Sequence, residues 1–151
     1  NIILFISIIA LVSAYFIEYV LGYKPCNLCL IERLPYFFAI LFIFLSLIIN
    51  RLEKITLITL ALIFAAAAVL SFYHFGIEQG FFSESLACTS SNEINSLSKE
   101  DLIKELQKEV VSCKDVQFTL LGLSLASINT LISLILSVIT FKLFLDYEKN
   151  R

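Results

Sequence analysis

The sequence predicts an all-α, polytopic membrane protein: a four-helix transmembrane bundle with one long outer loop. Of its 151 residues, 59% are hydrophobic and 16% are charged, and the mean hydropathy is +0.90. Soluble domains are nearer half apolar and a quarter charged. Four apolar runs are each long enough to cross about 30 Å of hydrocarbon as a helix. We therefore expect residues 1–151 to form a single transmembrane domain.

The first predicted span covers about residues 2–21, which are apolar apart from two serines and Glu18. This run is too long for the hydrophobic part of a signal peptide, and it lacks a small-residue cleavage site. The first residue is Asn1 and the sequence has no methionine, so we expect the natural N-terminus to lie upstream.

The second predicted span covers about residues 29–49, and Pro35 is expected to kink it near its start. The third covers about 55–75, where a run of alanines indicates close packing against a neighbouring helix. The fourth covers about 118–141 and contains polar side chains that we expect to hydrogen-bond between helices. These polar residues are Ser124, Ser127, Asn129 and Thr130.

The outer loop, residues 76–117, is the long hydrophilic stretch and contains Cys88 and Cys113. Within it, Ser98 is placed as an N-cap, and the apolar residues that follow lie on one helical face. This pattern predicts a short amphipathic helix. Two interpretations stay open for that helix: it lies on the membrane surface, or it covers a small core of the loop itself.

The distribution of basic residues predicts the orientation. Lysine and arginine are concentrated in the short turn between the second and third spans and in the C-terminal tail, whereas the long loop dilutes its lysines among acids. Cytoplasmic segments carry the excess of such residues, so we expect both termini inside and both cysteine-bearing loops outside. The net charge of -2 gives no basic surface, which argues against nucleic-acid binding.

Residues 24–33 contain Cys26 and Cys29 at C-x-x-C spacing, followed by Glu32 and Arg33. Cys29 and Arg33 stand at i and i+4, so on a continuous helix they share a face. We predict that the guanidinium holds Cys29 as a thiolate, the reactive form. A charge within a membrane span is costly and by default marks a functional site. The alternatives are a structural disulfide, which such a short ring makes a poor stabiliser, and an interfacial anchoring role for Arg33.

The second cysteine pair has several interpretations. Cys88 and Cys113 could staple their loop, or they could exchange with the first pair, since exchange needs only a thiolate and an accessible disulfide. Cys113 precedes the last span closely, so we expect it to lie nearer Cys26 than Cys88 does. A four-cysteine zinc site is a weaker alternative, because structural zinc sites favour two short-spaced pairs. Residue chemistry alone leaves the role of His74 open.

Together these motifs resemble the disulfide-bond-forming membrane protein B (DsbB) family, quinone reductases of the bacterial inner membrane. The resemblance covers the whole chain in order. It rests on KPCNLC at residues 24–29 with ER at 32–33, on YHFGIE at 73–78, and on the two later cysteines. The chain departs from many relatives in having two phenylalanines at residues 81–82 in place of tryptophan, and in the position of Pro35 just after the arginine.

The resemblance implies that a periplasmic thioredoxin-fold thiol oxidase (DsbA-like) is reoxidised at Cys88 and Cys113. Electrons would then pass to Cys26 and Cys29, and onward to a bound quinone, either ubiquinone or menaquinone. Arg33 is the implied quinone-site residue, with His74 and Glu32 as its neighbours, and no metal is implied. Two alternatives remain: a vitamin K epoxide reductase-like quinone reductase, in which the quinone-facing pair comes late in the chain, and a non-enzymatic scaffold with structural disulfides.

Overall fold

The computed structural model describes residues 2–49, 52–84, 88, 111–116, 118–120 and 122–149. The helices of this part of the chain are α1 (Ile2–Tyr19), α2 (Asn27–Ile31), α3 (Leu34–Ile48), α4 (Glu53–Glu78) and α5 (Leu125–Lys149). Among the described residues, four helical segments are long and apolar enough to cross a membrane, with α2 and α3 together counted as one segment. The predicted fold class, a four-span helical membrane bundle, is confirmed. The amphipathic helix predicted after Ser98 lies outside the described residues.

The second span is interrupted between α2 and α3, at Glu32 and Arg33. The Glu32 amide donates to the carbonyl of Leu28 at 2.9 Å, and the Arg33 amide donates to the carbonyl of Leu30 at 3.2 Å, so the last turn of α2 tightens. Pro35 then lies in the first turn of α3, where its missing N–H is no loss. The disturbance expected near Pro35 is therefore a break that precedes the proline.

The helix of the fourth span, α5, begins at Leu125, not at residue 118 as the apolar pattern suggested. The preceding residues form a two-stranded antiparallel hairpin of β1 (Thr119–Leu120) and β2 (Leu123–Ser124). Gly122 has φ +82° in the connecting turn, a conformation that glycine adopts at little cost. The helix also continues to Lys149, beyond the predicted end at 141, because its charged last turns still favour helix outside the hydrocarbon.

The helices of the first and third spans, α1 and α4, also differ slightly from their predicted bounds. α1 ends at Tyr19 where the apolar run suggested 21, and α4 continues to Glu78 where the pattern suggested 75. Hydropathy locates the membrane-embedded part of a helix, whereas backbone hydrogen bonding decides where the helix ends.

An apolar core occupies the middle of the bundle. α4 packs most extensively against α5, and α3 packs against both α1 and α4. Within the alanine run, Ala67 and Ala68 are buried while the two preceding alanines are exposed, so only one side of this run is packed. The buried residues of the apolar core are Ile3, Tyr36, Ala39, Ile43, Leu60, Phe64 and Leu136.

The two ends of the bundle differ in character. At one end, Lys54 near the start of α4 lies 2.7 Å from Glu148 near the end of α5. At the other end, a second buried cluster surrounds the cysteines. This cysteine cluster consists of Cys26, Leu28, Ile77, Cys88 and Cys113.

Phe82 closes the end of α4 beside the cysteine cluster. The amides of Phe81 and Phe82 donate to the carbonyl of Gly76 at 2.8 and 3.2 Å, which folds the chain back onto the helix. The Phe82 ring stacks on Tyr73 with a centroid distance of 5.5 Å, and it occupies the space that a Cβ at residue 76 would need. The phenylalanine pair that departs from the family pattern thus has a packing role.

Candidate functional site

The C-x-x-C pair lies at the start of α2. Cys26 is the N-cap of this helix, and its Sγ accepts a hydrogen bond from the Cys29 amide at 3.3 Å. The two sulfurs are unbonded and lie 2.7 Å apart. Cys26 is buried, whereas Cys29 is half-buried. The pair is therefore close enough to form a disulfide with little movement of the backbone.

His74 of α4 contacts this pair from a distant part of the chain. Its Nε2 lies 3.5 Å from the Sγ of Cys26, and its Nδ1 lies 2.8 Å from Oε1 of Glu32. Hydrogen bonds from the Cys29 thiol and from His74 lower the pKa of Cys26 to about 4, outweighing the opposing effect of burial. The Cys29 amide and His74 both contact the sulfur of Cys26, an arrangement that favours the thiolate on Cys26 over Cys29.

A buried polar network holds Glu32 in place. Its Oε2 accepts from the Asn129 side-chain amide at 2.8 Å, so both carboxylate oxygens are hydrogen-bonded. Asn129 also donates to the hydroxyl of Ser71 at 2.7 Å and accepts from the hydroxyl of Tyr36. The network joins α3, α4 and α5, and such fully paired polar groups fix geometry in a low-dielectric interior.

Of the four polar side chains expected to hydrogen-bond between helices, Asn129 bonds to Glu32 and Ser71, and Ser124 bonds to Glu78 of α4. The Thr130 hydroxyl donates to the carbonyl of Ala126 at 2.8 Å within its own helix. Ser124 and Ser127 hydrogen-bond to each other.

The second cysteine pair is buried against the first. Cys88 and Cys113 are joined by a disulfide with their Cα atoms 5.6 Å apart. The Sγ of Cys113, the Sγ of Cys26 and a ring nitrogen of His74 all lie within 4.8 Å of one another. The fold thus brings Cys113 next to Cys26, the neighbour that its position before the last span suggested.

Glu84 fixes the segment that carries Cys113. Its Oε1 accepts hydrogen bonds from the Ser112 hydroxyl and, at 3.2 Å, from the Lys114 amide. The residues on both sides of Cys113 are therefore tied to the chain that leaves α4, which helps to hold the disulfide within the cysteine cluster.

Arg33 faces α1, and its position corrects the contact that the sequence suggested. Its guanidinium forms an ion pair with Glu18 and lies 5.0 Å from the ring centroid of Tyr15. Within the described residues, its side-chain partners do not include Cys29. Because the helix breaks at Glu32 and Arg33, the i, i+4 relation of a continuous helix does not apply here. Glu18, the acidic residue of the first predicted span, is the partner of Arg33.

Glu78 is a further site residue that sequence reasoning missed. Its Oε1 lies 4.0 Å from Nε2 of His74, one helical turn earlier on α4. Its side chain is 6% exposed, and within the part of the chain that the structure describes its Oε2 has no hydrogen-bond partner. The available signal was the i, i+4 spacing of the two residues on a membrane helix.

The metal alternative takes a different form in the structure. The donor atoms that come together belong to Cys26, His74 and Cys113 rather than to four cysteines. In this state the sulfur of Cys113 is committed to the disulfide, and metals bind cysteine as the thiolate.

The fold and the site define the protein as a multi-pass membrane thiol oxidoreductase, with two cysteine pairs meeting at one end of a helical bundle. The family model "Disulfide bond formation protein DsbB" matches residues 1–143, and the chain belongs to this family. The family interpretation made from the residues is confirmed. Membership implies a role in disulfide bond formation and a DsbA-like partner, and members typically use a quinone.

One relative extends this comparison. The uncharacterized protein RP370 of Rickettsia prowazekii (strain Madrid E) is 36% identical over 147 residues, covering 96% of this chain and 85% of RP370. No solved structure matches the chain.

Proposed function

We propose that this protein is a quinone-dependent protein dithiol oxidase of the bacterial inner membrane. It reoxidises a periplasmic thioredoxin-fold disulfide donor, and the electrons pass through both cysteine pairs. The observation that supports this proposal best is the approach of Cys113 to Cys26, whose sulfurs lie within 4.8 Å of each other. Thiol–disulfide exchange requires a thiolate to reach a disulfide sulfur, and a purely structural staple would have no need of this proximity.

The first exchange oxidises the soluble partner. A thiolate of the reduced partner attacks Sγ of Cys88, the Cys88–Cys113 bond breaks, and Cys113 leaves as a thiolate. The partner's second thiol then loses its proton and attacks the partner's first sulfur in the mixed disulfide, which expels Cys88 as a thiolate. The partner departs with a disulfide, and its two electrons remain on Cys88 and Cys113.

The second exchange moves those electrons inward. Cys113 attacks Cys26 in a Cys26–Cys29 disulfide and expels Cys29; Cys88 then attacks Cys113 and expels Cys26. A thiol of low pKa leaves faster, and the pKa of Cys26 is lowered to about 4. The hydrogen bond from His74 supports the charge that forms on Cys26.

Arg33 has the hydrogen-bond donors that a quinone carbonyl needs. A guanidinium has five N–H donors, and the ion pair with Glu18 uses Nη1 of Arg33, so donors remain for a quinone carbonyl. Arg33 would hold the ring, with His74 and Glu32 as the neighbouring polar groups. When bound, the quinone supplies a two-electron, two-proton acceptor for the Cys26–Cys29 dithiol. Arg33, through Glu18, is fixed against α1.

The proposed mechanism requires both cysteine pairs to face the periplasm. The cysteine cluster lies at one end of the bundle, while Lys54 and Glu148 meet at the other. A membrane-impermeant thiol reagent added to intact spheroplasts after reduction should label Cys88 or Cys113. Labelling that appears only after lysis would contradict both the orientation and the mechanism.

The roles within the second pair are tested by two matched variants that each lack the same disulfide. In cells that contain the partner, Cys113→Ala leaves Cys88 without its resolving thiol, so a mixed disulfide between partner and protein should accumulate on a non-reducing gel. Cys88→Ala should abolish this adduct. Accumulation in Cys88→Ala alone would reverse the roles.

Whether the protein is an enzyme at all is a separate question. For the purified wild type, adding quinone to the reduced protein should remove free thiols. Four sulfurs that stay inert would indicate a scaffold with structural cysteines instead.

A further inference from the structure

We propose that reduction of the Cys88–Cys113 disulfide creates a binding site for a thiophilic divalent cation, with Zn²⁺ as the ion that fits. Its ligands are Cys26, Cys113 and His74, completed by Cys29. The donor atoms of the first three residues lie within 4.8 Å of one another, and all three residues are buried. Thiolate sulfur and imidazole nitrogen are the ligands that zinc prefers in closed tetrahedral sites.

The distances between these donors are close to those of a zinc site. Zinc–sulfur bonds of about 2.3 Å and zinc–nitrogen bonds of about 2.0 Å place tetrahedral ligand atoms roughly 3.5–3.8 Å apart. Cys26 Sγ and His74 Nε2 are already 3.5 Å apart. From within 4.8 Å of the other donors, Cys113 needs a movement of about 1 Å. The sulfurs of Cys26 and Cys29, now 2.7 Å apart, separate as the ion enters.

The environment of His74 supports the same conclusion independently of the sulfurs. Histidine ligands of metals almost always donate their other ring N–H to a carboxylate or carbonyl group. Nδ1 of His74 lies 2.8 Å from Glu32, which Asn129 holds in place from the far side. This pairing keeps a proton on Nδ1, so Nε2 is the ring nitrogen that faces the cysteine sulfurs. On metal binding, Nε2 would give up the proton that it donates to Cys26 and coordinate through its lone pair.

The charges nearly balance in this buried position. On binding, Cys26, Cys29 and Cys113 coordinate as thiolates, and the protons still held by these thiols and by Nε2 of His74 pass to solvent. Two of the three thiolate charges neutralise the divalent ion, which limits the cost of burial. The site exists only after the disulfide is reduced, because a disulfide sulfur is not a thiolate ligand. A bound ion would occupy the sulfur lone pairs, so Cys113 could no longer attack Cys26. The proposal does not depend on the quinone or on the identity of the partner.

The test uses the full chain in detergent, reduced with a thiol-free phosphine. Titration with Co²⁺ should give the visible spectrum of tetrahedral sulfur–nitrogen coordination, and Zn²⁺ should displace it. Cys88→Ser and Cys113→Ser are matched variants, since each lacks the same disulfide. Cys88→Ser should bind as tightly as the reduced wild type, whereas Cys113→Ser should bind at least about tenfold more weakly.

Three outcomes would overturn the proposal: an equal loss of binding in both serine variants, undiminished binding by the wild type with its Cys88–Cys113 disulfide intact, or no displaceable Co²⁺ spectrum in the reduced wild type. Glu32→Gln keeps every cysteine and serves if Cys113→Ser does not fold. It should weaken binding by about tenfold through its effect on His74, and unchanged binding in this variant would also contradict the proposed site.

Discussion

The apolar core and the cysteine cluster both include residues of α4 but are held together differently. In the apolar core, Phe64 and its neighbours fill space. The Tyr36 hydroxyl is the one polar side-chain group among the described buried residues of this core. In the cysteine cluster, sulfurs pack against Leu28 and Ile77 while hydrogen-bonding to charged or polar side chains. Packing decides whether the first region forms at all; hydrogen bonds and charge decide what the second can do.

Stability and reactivity are therefore separable in this bundle. Substitutions in the apolar core should change the free energy of unfolding and leave the chemistry of the surviving folded molecules intact. Substitutions beside the cysteines should change exchange rates and their pH dependence at a smaller cost in stability. Three variants, taken in order of expected effect, test the separation.

Phe64→Ala should cause the largest change. Phe64 is fully buried, and a Phe→Ala cavity costs about 3 kcal/mol or more, which is over a hundredfold in the folding equilibrium. Denaturation in mixed detergent micelles measures this loss. Phe72→Ala on the same helix is the matched control, because that side chain is 56% exposed toward lipid. Equal losses in the two variants would show that the apolar core is not specifically packed.

Arg33→Ala should slow quinone reduction while having little effect on folding. Losing one close positive charge at a partly buried site costs on the order of 1–3 kcal/mol, or roughly ten- to a hundredfold in rate. Arg33→Lys should restore only part of the rate, since an ammonium lacks the planar arrangement of donors. Stopped-flow measurement of quinone absorbance gives both values. Unchanged kinetics in Arg33→Ala would reduce this residue to an anchor for α1.

His74→Ala should produce the smallest change, and one that depends on pH. The lowered pKa of Cys26, about 4, favours its anion at any higher pH; removing a hydrogen-bond donor to that anion raises the pKa. Transfer from the second pair to the first should therefore slow by about tenfold, and the deficit should grow as the pH falls from about 8 to about 5. Rapid acid quenching followed by thiol alkylation measures this transfer.

The matched control for His74→Ala is Phe64→Ala, which is destabilised but retains the histidine. Its exchange rate should follow the pH profile of the wild type. A deficit in His74→Ala that does not change with pH would assign His74 a purely structural role.

The four spans could be predicted because long apolar runs have few alternatives in a membrane. The start of α5 could not, because residues 118–124 are nearly as apolar as the helix that follows. A short apolar run does not distinguish strand from helix, and the turn at Gly122 is a local conformational preference that hydropathy does not measure. The proline indicated that the helix would be disturbed near residue 35. It did not indicate how the break would redirect the neighbouring side chains.

The candidate site was predictable in part. C-x-x-C spacing and the motif that contains His74 pointed to residues that the fold brings together, but not to their contacts. Glu32, His74 and Asn129 come from three distant segments, and only the packing of α4 against α5 decides that they meet. The expected pairing of Cys29 with Arg33 assumed a continuous helix, and the interruption of that helix directs the arginine to Glu18.

The interruption between α2 and α3 assigns neighbouring residues to different environments. Glu32 turns inward, where both oxygens of its carboxylate are hydrogen-bonded, whereas Arg33 turns toward Glu18 and Tyr15. Successive residues of a continuous helix would differ by a fixed rotation of about 100°, and the tightened turn changes that rotation. The number of residues between Cys29 and Pro35 therefore determines which way Glu32 and Arg33 face. Adding or removing one residue there would rotate the two sides of the break by about 100° relative to each other. Glu32 and Arg33 could then no longer both keep their present partners, even with every reactive side chain still present.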